Sequence, residues 1–366
     1  MSKKRPKRIA IKIGTRVLTG SRNEIDRDVV KNIADQVASL MKSGREVIIV
    51  SSGAIGSGLG LLGLEKKPKS LSELQAIASV GQSHLMDLYN HYLGKHGFIA
   101  GQILLTQEDF NDRCRFLNIR YTLNTLLTKY KAVPIINEND SISTKEIKCG
   151  DNDRLSYLVA DLAGADTLVI LTDVEGLYDA DGRLVSCVGE LTGEIRAYCK
   201  GKGSDVSTGG MINKLETARN ACLSGISCVI ARGRRENVIL DVVAGKEIGT
   251  RFAAKDKKIT ARKRWLAFSV RAKGEIMVDS GAVNALVQHK KSLLPSGITE
   301  VKGKFDEGDF VDIVSVGKKL IARGLSNYSS EEIKSIKGLK TDQIEKALGY
   351  KDYDEVVHRD NLVIIE

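Results

Sequence analysis

Two hydrophobic periods alternate along the first two thirds of the chain. Lys7 to Gly14, KRIAIKIG, alternates apolar and polar positions and turns at a glycine, which predicts a strand feeding a loop. Asp26 to Ser43 carries apolar residues at helical spacing, and Gly44 is a stop signal. Glu46 to Val50, EVIIV, is a short continuous apolar run of the kind a buried parallel strand shows. The segment Ser51 to Gly60, SSGAIGSGLG, reads as a glycine-rich loop. A helix over Ser72 to Lys95, a strand over Phe98 to Leu105, a helix over Arg113 to Tyr130 and a strand over Val133 to Asn137 follow.

The same alternation continues downstream. Asn152 to Gly164 reads as a helix and Thr167 to Thr172 as a strand, with Asp181-Gly182 as the turn of a small hairpin. Met211 to Ser224 is helical, Ser227 to Ala231 a strand and Asn237 to Ala244 a short helix. Strands alternating with helices predict an α/β fold, a three-layer αβα sandwich with a mostly parallel central sheet.

Beyond about residue 258 the pattern changes. A charged connector is followed by short runs at Glu275 to Val278, Ser292 to Val301, Asp309 to Val316 and Lys318 to Gly324. Bounded by Gly and Pro, these predict a small β-rich domain, with one helix at Thr341 to Leu348 and a last strand at Asn361 to Ile365. The expected organisation is a catalytic domain over 1–258, a linker over 259–273 and a β-rich domain over 274–366.

Composition narrows the classes. A length of 366 residues sets a prior of two domains, with three as the alternative. The 42% hydrophobic and 28% charged content excludes a largely disordered or collagen-like chain. No apolar run reaches the ~18 residues of a membrane span, and Met1 to Arg8 is basic without the apolar stretch of a signal peptide. The expectation is a cytoplasmic protein with no membrane contact. The six cysteines, Cys114, Cys149, Cys187, Cys199, Cys222 and Cys228, form no C-x-x-C pair, and the five histidines share no zinc spacing, so no metal site is expected. The net charge of +10 leaves nucleic acid, a membrane surface or anionic small substrates open. Much of that excess lies in the first eight residues, and the part beyond Thr260 is nearly balanced.

Candidate chemistry gathers at strand ends, where ligands bind open α/β sheets. Four polar clusters sit there: Lys12-Ile13-Gly14-Thr15, Ser51-Ser52-Gly53, Asn137-Glu138-Asn139-Asp140 and Thr172-Asp173. A fifth, Thr208 to Lys214, opens a helix. The glycines after Ser52 suit either a phosphate contact or a plain tight turn, and neither G-x-G-x-x-G nor the Walker pattern is present. Gly150 to Asp153, GDND, precedes a helix; N-capping accounts for one such residue but less well for three. Lys12 lies within an apolar strand, and Lys214 falls in the first turn of its expected helix, where a cation opposes the dipole.

In this order KIGTRVLTG, VSSGAIGSG, VPIINEND, IKCGDNDRLS, ILTDVEGLY and TGGMINKLETA resemble the amino acid kinase family. The resemblance is to its members that phosphorylate the γ-carboxylate of L-glutamate. The C-terminal VDSGAVNAL, SLLPSGI, GDFVDI and EVVHRDNLVII resemble a PUA domain. The resemblance implies ATP-dependent formation of γ-glutamyl phosphate as the first step of proline biosynthesis. It also implies feedback inhibition by L-proline, a need for Mg²⁺ and a homo-oligomer (dimer or tetramer), and it leaves direct handover of product to glutamyl phosphate reductase open. Carried over by position, Lys12 and Lys214 neutralise the transferring phosphoryl group, Asp153 holds both lysines, and backbone N–H groups near Gly14 and Gly53 face phosphate oxygens. Ser52, Asp140 and Asn152 match glutamate-binding positions. Lys12, Thr172, Asp173, Thr208, Gly209, Gly210, Met211, Ile212, Asn213 and Lys214 match nucleotide-binding positions. Asn213 departs from the threonine that usually precedes the lysine.

Two rivals stand beside this reading. One is another kinase of the same family, acting on a different acid. The other is an RNA-binding protein acting through the PUA-like part, for which Trp265, Phe268 and Tyr328 are the aromatic candidates, scattered rather than arrayed.

Overall fold

A computed structural model describes residues 7–19, 24–110, 112–142, 151–189, 191–198, 205–254 and 272–365. The chain divides into two units, Met1–Lys258 and Ile259–Glu366. The tail before residue 7, Cys149, Cys199, Trp265, Phe268 and nearly all of the expected linker lie outside the described residues.

The first unit runs β1 (Arg8–Ile13), α1 (Thr15–Leu18), α2 (Arg27–Lys42), β2 (Glu46–Ser51), α3 (Ala54–Leu61), α4 (Leu71–Gly94), β3 (Ala100–Leu105), α5 (Arg113–Thr125), β4 (Val133–Glu138), α6 (Asp151–Ala163), β5 (Thr167–Thr172), β6 (Cys187–Val188), α7 (Gly193–Ala197), α8 (Asp205–Leu223), β7 (Ser227–Arg232), α9 (Val238–Ala244) and β8 (Thr250–Phe252). Its sheet has the order β3-β4-β2-β1-β5-β7-β8-β6. The pairings from β3 to β7 are parallel, and β8 runs antiparallel to β7. This is the amino-to-carboxyl alternation the hydrophobic pattern predicts, closed at one edge by two short strands.

Alternation along β1 separates two buried faces. Ile9, Ile11 and Ile13 join Val47, Ile49, Val169 and Leu171 in a core covered by α2, α4 and α9. Ala10 and Lys12 face the opposite layer, where α6 and α8 pack. The helix starts follow local chemistry: the Asp26 carboxylate accepts from the Val29 N–H at 3.3 Å to open α2, and Gly44, at φ 80°, lets the chain turn after it.

The expected glycine-rich loop is a correction. Ala54–Leu61 is helical, and its glycines are contact points rather than hinges. A Cβ on Gly58 would lie 2.0 Å from the Ile77 carbonyl oxygen, and one on Gly81 would lie 1.8 Å from that of Ala54. Backbone-to-backbone packing of α3 on α4 therefore requires glycine at both positions, outweighing glycine's poor helix propensity. A second correction concerns α8, which starts at Asp205, so Lys214 sits well inside the helix and not in its first turn. The expected hairpin at Asp181-Gly182 reduces to an isolated antiparallel bridge between Tyr178 and Leu184.

The second unit contains β9 (Gly274–Val278), α10 (Ser280–Val287), β10 (Ile298–Gly303), β11 (Phe310–Ser315), β12 (Leu320–Leu325), α11 (Ser330–Ile336), α12 (Ile344–Leu348) and β13 (Leu362–Ile364). Its five-stranded sheet has the order β10-β9-β11-β12-β13 around a core that includes Ile276, Val311, Ile313, Tyr328 and Val357. Two helices beyond the single expected one are present. The Asp279 carboxylate caps α10 at 2.7 Å from the Ala282 N–H, and Ser329 with Glu332 forms a capping box on α11. Tyr328 is buried and offers no open ring face.

Candidate active site

Parallel register brings four strand ends to one edge. Ile13 pairs with Ser51 on one side and Leu171 on the other, and Val50 pairs with Ile136. The polar residues that follow each apolar run, Gly14, Ser52, Asn137 with Glu138, and Thr172 with Asp173, therefore emerge together. This is the carboxyl edge where open α/β sheets bind ligands.

Three charged side chains meet there. Lys12 Nζ lies 2.7 Å from Asp153 Oδ1, and Lys214 Nζ lies 3.1 Å from Asp153 Oδ2. Asp153 is 1% exposed and Lys12 5%. Burying a lone ammonium is costly, so Lys12 is tolerable inside β1 because the carboxylate meets it. Asp153 stands in the first turn of α6, where the helix dipole favours negative charge. Lys214 also donates to the Gly210 carbonyl at 3.3 Å, which fixes the approach of its stem along α8. Two cations against one anion leave a positive excess, and such a site attracts an anionic ligand.

Small residues shape the space around these ammoniums. A Cβ on Gly14 would lie 3.6 Å from Lys12 Nζ and 3.3 Å from the Leu171 carbonyl oxygen. The Gly14 N–H itself donates to that Leu171 carbonyl at 3.1 Å, so the expected phosphate-facing donor at Gly14 is already engaged and ties β1 to β5 instead. Gly53 has φ 104°, a left-handed conformation that suits glycine, and stands at the start of α3. The first N–H groups of a helix have no partner within it, so the α3 start retains donors.

Beside the charged group lies a row of amides. Asn152 Nδ2 donates to Ser52 Oγ at 2.9 Å and to Asn137 Oδ1 at 3.0 Å. Asn137 Nδ2 donates to Gln82 Oε1 at 2.9 Å. Ser52 follows Ser51, whose hydroxyl is bonded to the Tyr89 hydroxyl at 3.0 Å. Burial pushes the Tyr89 hydroxyl well up from its ordinary pKa, so it stays protonated. Asp140 follows β4 by two residues and is the first residue of the turn that comes after the strand.

Toward β5 the polar group continues. Arg16 Nη1 lies 3.0 Å from Asp173 Oδ2, and Thr172 Oγ1 donates to Asp173 Oδ1 at 3.0 Å. Burial raises the Asp173 pKa, but hydrogen bonds from Arg16, its own backbone and Thr172 outweigh it and hold the carboxyl below the usual range. On α8, Gly210 and Met211 are half-buried while Ile212 and Asn213 are exposed. Thr208 and Gly209 fall in its opening turns.

Of the residues the sequence singles out, the structure joins Lys12, Asp153 and Lys214 directly and Ser52 to Asn152 directly. Asn137 falls in a polar cluster the sequence singles out but was given no role of its own, and Gln82 and Arg16 were missed. The available signal for Gln82 was a polar residue on the buried stripe formed by Ala78, Leu85 and Met86.

Residues 7–232 match the model of the amino acid kinase family. The chain belongs to the amino acid kinase family. Residues 274–348 match the PUA domain, so the β-rich unit carries that module. Over 365 residues this amino acid kinase is 46% identical to a protein named Glutamate 5-kinase from Thermoanaerobacter sp. (strain X514), covering 98% of each chain. It is 47% identical over 365 residues to the Glutamate 5-kinase of Caldanaerobacter subterraneus subsp. tengcongensis, again covering 98% of each. The Glutamate 5-kinase of Moorella thermoacetica is 46% identical over 365 residues, covering 98% of this chain and 96% of that one. Among the described residues no helix is long and apolar enough to cross a membrane, and no group of three or more His, Cys, Asp or Glu could hold a metal ion.

Proposed function

We propose that this amino acid kinase transfers the γ-phosphoryl group of ATP to the γ-carboxylate of L-glutamate, giving γ-glutamyl phosphate and ADP. The observation that carries phosphoryl transfer is the pair of lysines, Lys12 and Lys214, held by separate oxygens of Asp153 at the carboxyl edge of the sheet. The choice of glutamate rests on the names of the relatives, which match end to end.

The chemistry suits the residues present. A carboxylate is ionised at neutral pH, so its oxygen attacks the γ-phosphorus without a general base. The new bond is carboxylate oxygen to phosphorus, the bond from phosphorus to the ADP oxygen breaks, and ADP keeps the electron pair. No proton moves. Phosphoryl transfer depends mainly on positioning and charge stabilisation. Lys12 and Lys214 supply that charge on the phosphoryl oxygens, and Asp153 sets their separation. The N–H groups opening α3 at Gly53 face the same edge. Ser52, Asp140 and Asn152 hold glutamate, with the Asp140 carboxylate as a charge-assisted acceptor for the ammonium. Thr172, Asp173 and the segment Thr208 to Lys214 hold the nucleotide.

Mg²⁺ enters this reading only with the nucleotide, where it would neutralise phosphate charge. The described residues offer it no acidic cluster, and Asp153 is engaged by both lysines, so no protein residue is assigned to it. The reading further places the enzyme in the cytoplasm, at the head of proline synthesis. It takes L-proline as an inhibitor and a homo-oligomer built through the kinase unit as the working form.

The test is ADP release with ATP and Mg²⁺, comparing L-glutamate, N-acetyl-L-glutamate and L-aspartate, each with and without L-proline. Turnover with L-glutamate alone, suppressed by L-proline, is expected. Preference for another acid would overturn the substrate and leave the family. No turnover with any acid would bring forward RNA binding through the PUA unit.

A further inference from the structure

The row Ser52, Asn152, Asn137 and Gln82 has a polarity that one backbone group decides. The Glu138 N–H donates to Asn137 Oδ1 at 2.9 Å. A backbone N–H can only donate, so Asn137 must present its oxygen there and its Nδ2 on the other side. That Nδ2 donates to Gln82 Oε1 at 2.9 Å, and Asn137 Oδ1 also accepts from Asn152 Nδ2 at 3.0 Å. Swapping any one amide would set donor against donor or acceptor against acceptor. The Glu138 N–H thereby fixes the orientation of Asn152 through Asn137, and Asn152 Oδ1 is left as a buried acceptor with no protein partner among the described residues. At the far end, Gln82 Nε2 is a buried donor in the same condition, on a residue that is 8% exposed.

A buried acceptor beside Ser52 needs a donor from the ligand. On an amino acid at neutral pH the carboxylates carry no proton, and the only donor is the α-ammonium. We propose that Gln82 is a positioning residue for amino-group recognition: it anchors Asn137, which turns Asn152 so that Oδ1 accepts from the ammonium of the substrate. This rests on the glutamate reading above and adds how the site distinguishes an amino acid from the same diacid without its amino group. Gln82 is carried by α4, whose close seat on α3 through Gly81 and Gly58 sets the height of the row against Ser52.

The experiment compares kcat/KM for L-glutamate and for glutarate, which lacks the ammonium, in the wild-type protein, Gln82→Leu and Gln82→Glu. Leucine removes the acceptor for Asn137 Nδ2. Glutamate keeps an acceptor there and removes the Nε2 donor. For Gln82→Leu the expected result is a fall in the glutamate-to-glutarate ratio of about tenfold, the scale of one lost hydrogen bond to a charged group. The KM for ATP should stay within about twofold of the wild-type value on the same scale. Gln82→Glu should recover most of the ratio. An unchanged ratio in Gln82→Leu, or an equal loss on both substrates, overturns the proposal. A ratio in Gln82→Glu lower than in Gln82→Leu also overturns it, by making Nε2 a direct contact to a substrate carboxylate. If Gln82→Leu does not fold, the ratio in Gln82→Met, which also lacks the acceptor, decides in the same way. A wild-type protein that turns over neither diacid is a failure of the glutamate reading and would show itself before any variant is made.

Discussion

Lys12 on β1 and Lys214 on α8 reach one carboxylate, Lys12 at 2.7 Å from Asp153 Oδ1 and Lys214 at 3.1 Å from Asp153 Oδ2. Asp153 thus spaces two ammoniums that would otherwise repel, and it leaves one net positive charge for a ligand. Lys214 is the more exposed of the pair at its side chain, 14% against 6%, and is the better placed to meet an incoming phosphoryl group. Lys214→Ala should lower kcat by on the order of 10³-fold, about 4 kcal/mol of barrier. Steady-state kinetics checks this, and an unchanged kcat would remove Lys214 from the reaction.

Asp153→Asn keeps the shape and removes the shared charge. The amide oxygen can meet one lysine, but its NH₂ then faces the other. Breaking a buried ion cluster in this way costs about 3–5 kcal/mol. A lower Tm and a large loss of kcat are expected together. A variant as stable as the parent would show that the lysines find other partners.

Asp140→Ala should raise the KM for glutamate far more than it lowers kcat. An ammonium contact is made equally in the ground and transition states and so contributes uniform binding. A normal KM would assign the amino group elsewhere.

Gly81→Ala should destabilise the catalytic unit. Its Cβ would meet the Ala54 carbonyl oxygen at 1.8 Å and the Gly58 nitrogen at 2.3 Å, both backbone atoms with little room to yield. Overpacking of this kind costs about 1–3 kcal/mol or more. Thermal unfolding should show a reduced Tm, and the glutamate KM should rise because α4 also carries Gln82.

Asp173 gives a pH signature. Its carboxyl is held below the usual range, despite burial, by hydrogen bonds from Arg16, its backbone and Thr172. A depressed pKa favours the folded state above the unfolded value, and that contribution is lost as the pH falls through the folded value. Arg16→Ala should move the Asp173 titration upward, so that it protonates earlier on acidification. A carbon-detected titration of the Asp173 carboxyl checks the shift. An unmoved midpoint would exclude Arg16 as a cause.

The fold was legible where periodicity was unambiguous. The apolar runs EVIIV and TLVILT are β2 and β5, and Asp26 with Gly44 bounded α2 as caps should. The segment Ser51 to Gly60 misled because glycine signals both turns and close helix packing; only the partner helix, with Ile77 and Gly81, distinguishes them. In the PUA unit the Ser329-to-Glu332 spacing was a readable capping box, but the helix it opens is too short for periodicity to show. For the site, Lys12 stood out because it interrupts an apolar strand, and Lys214 because of an expected first-turn position that the structure replaces with one well inside α8. Their convergence on Asp153 depends on parallel register between strands distant in sequence, which no local pattern contains. Gln82 was missed, and Asn137 was named only within its strand-end cluster, for the same reason: a buried amide is ordinary until its partners are known.

The γ-carboxylate of L-glutamate is the proposed phosphoryl acceptor. The most direct measurement traps the product with hydroxylamine in the presence of ATP, Mg²⁺ and L-glutamate and identifies it by mass spectrometry. γ-Glutamyl hydroxamate, formed only with ATP, is the expected product. ADP formed without hydroxamate, or the α-isomer in its place, would contradict that assignment.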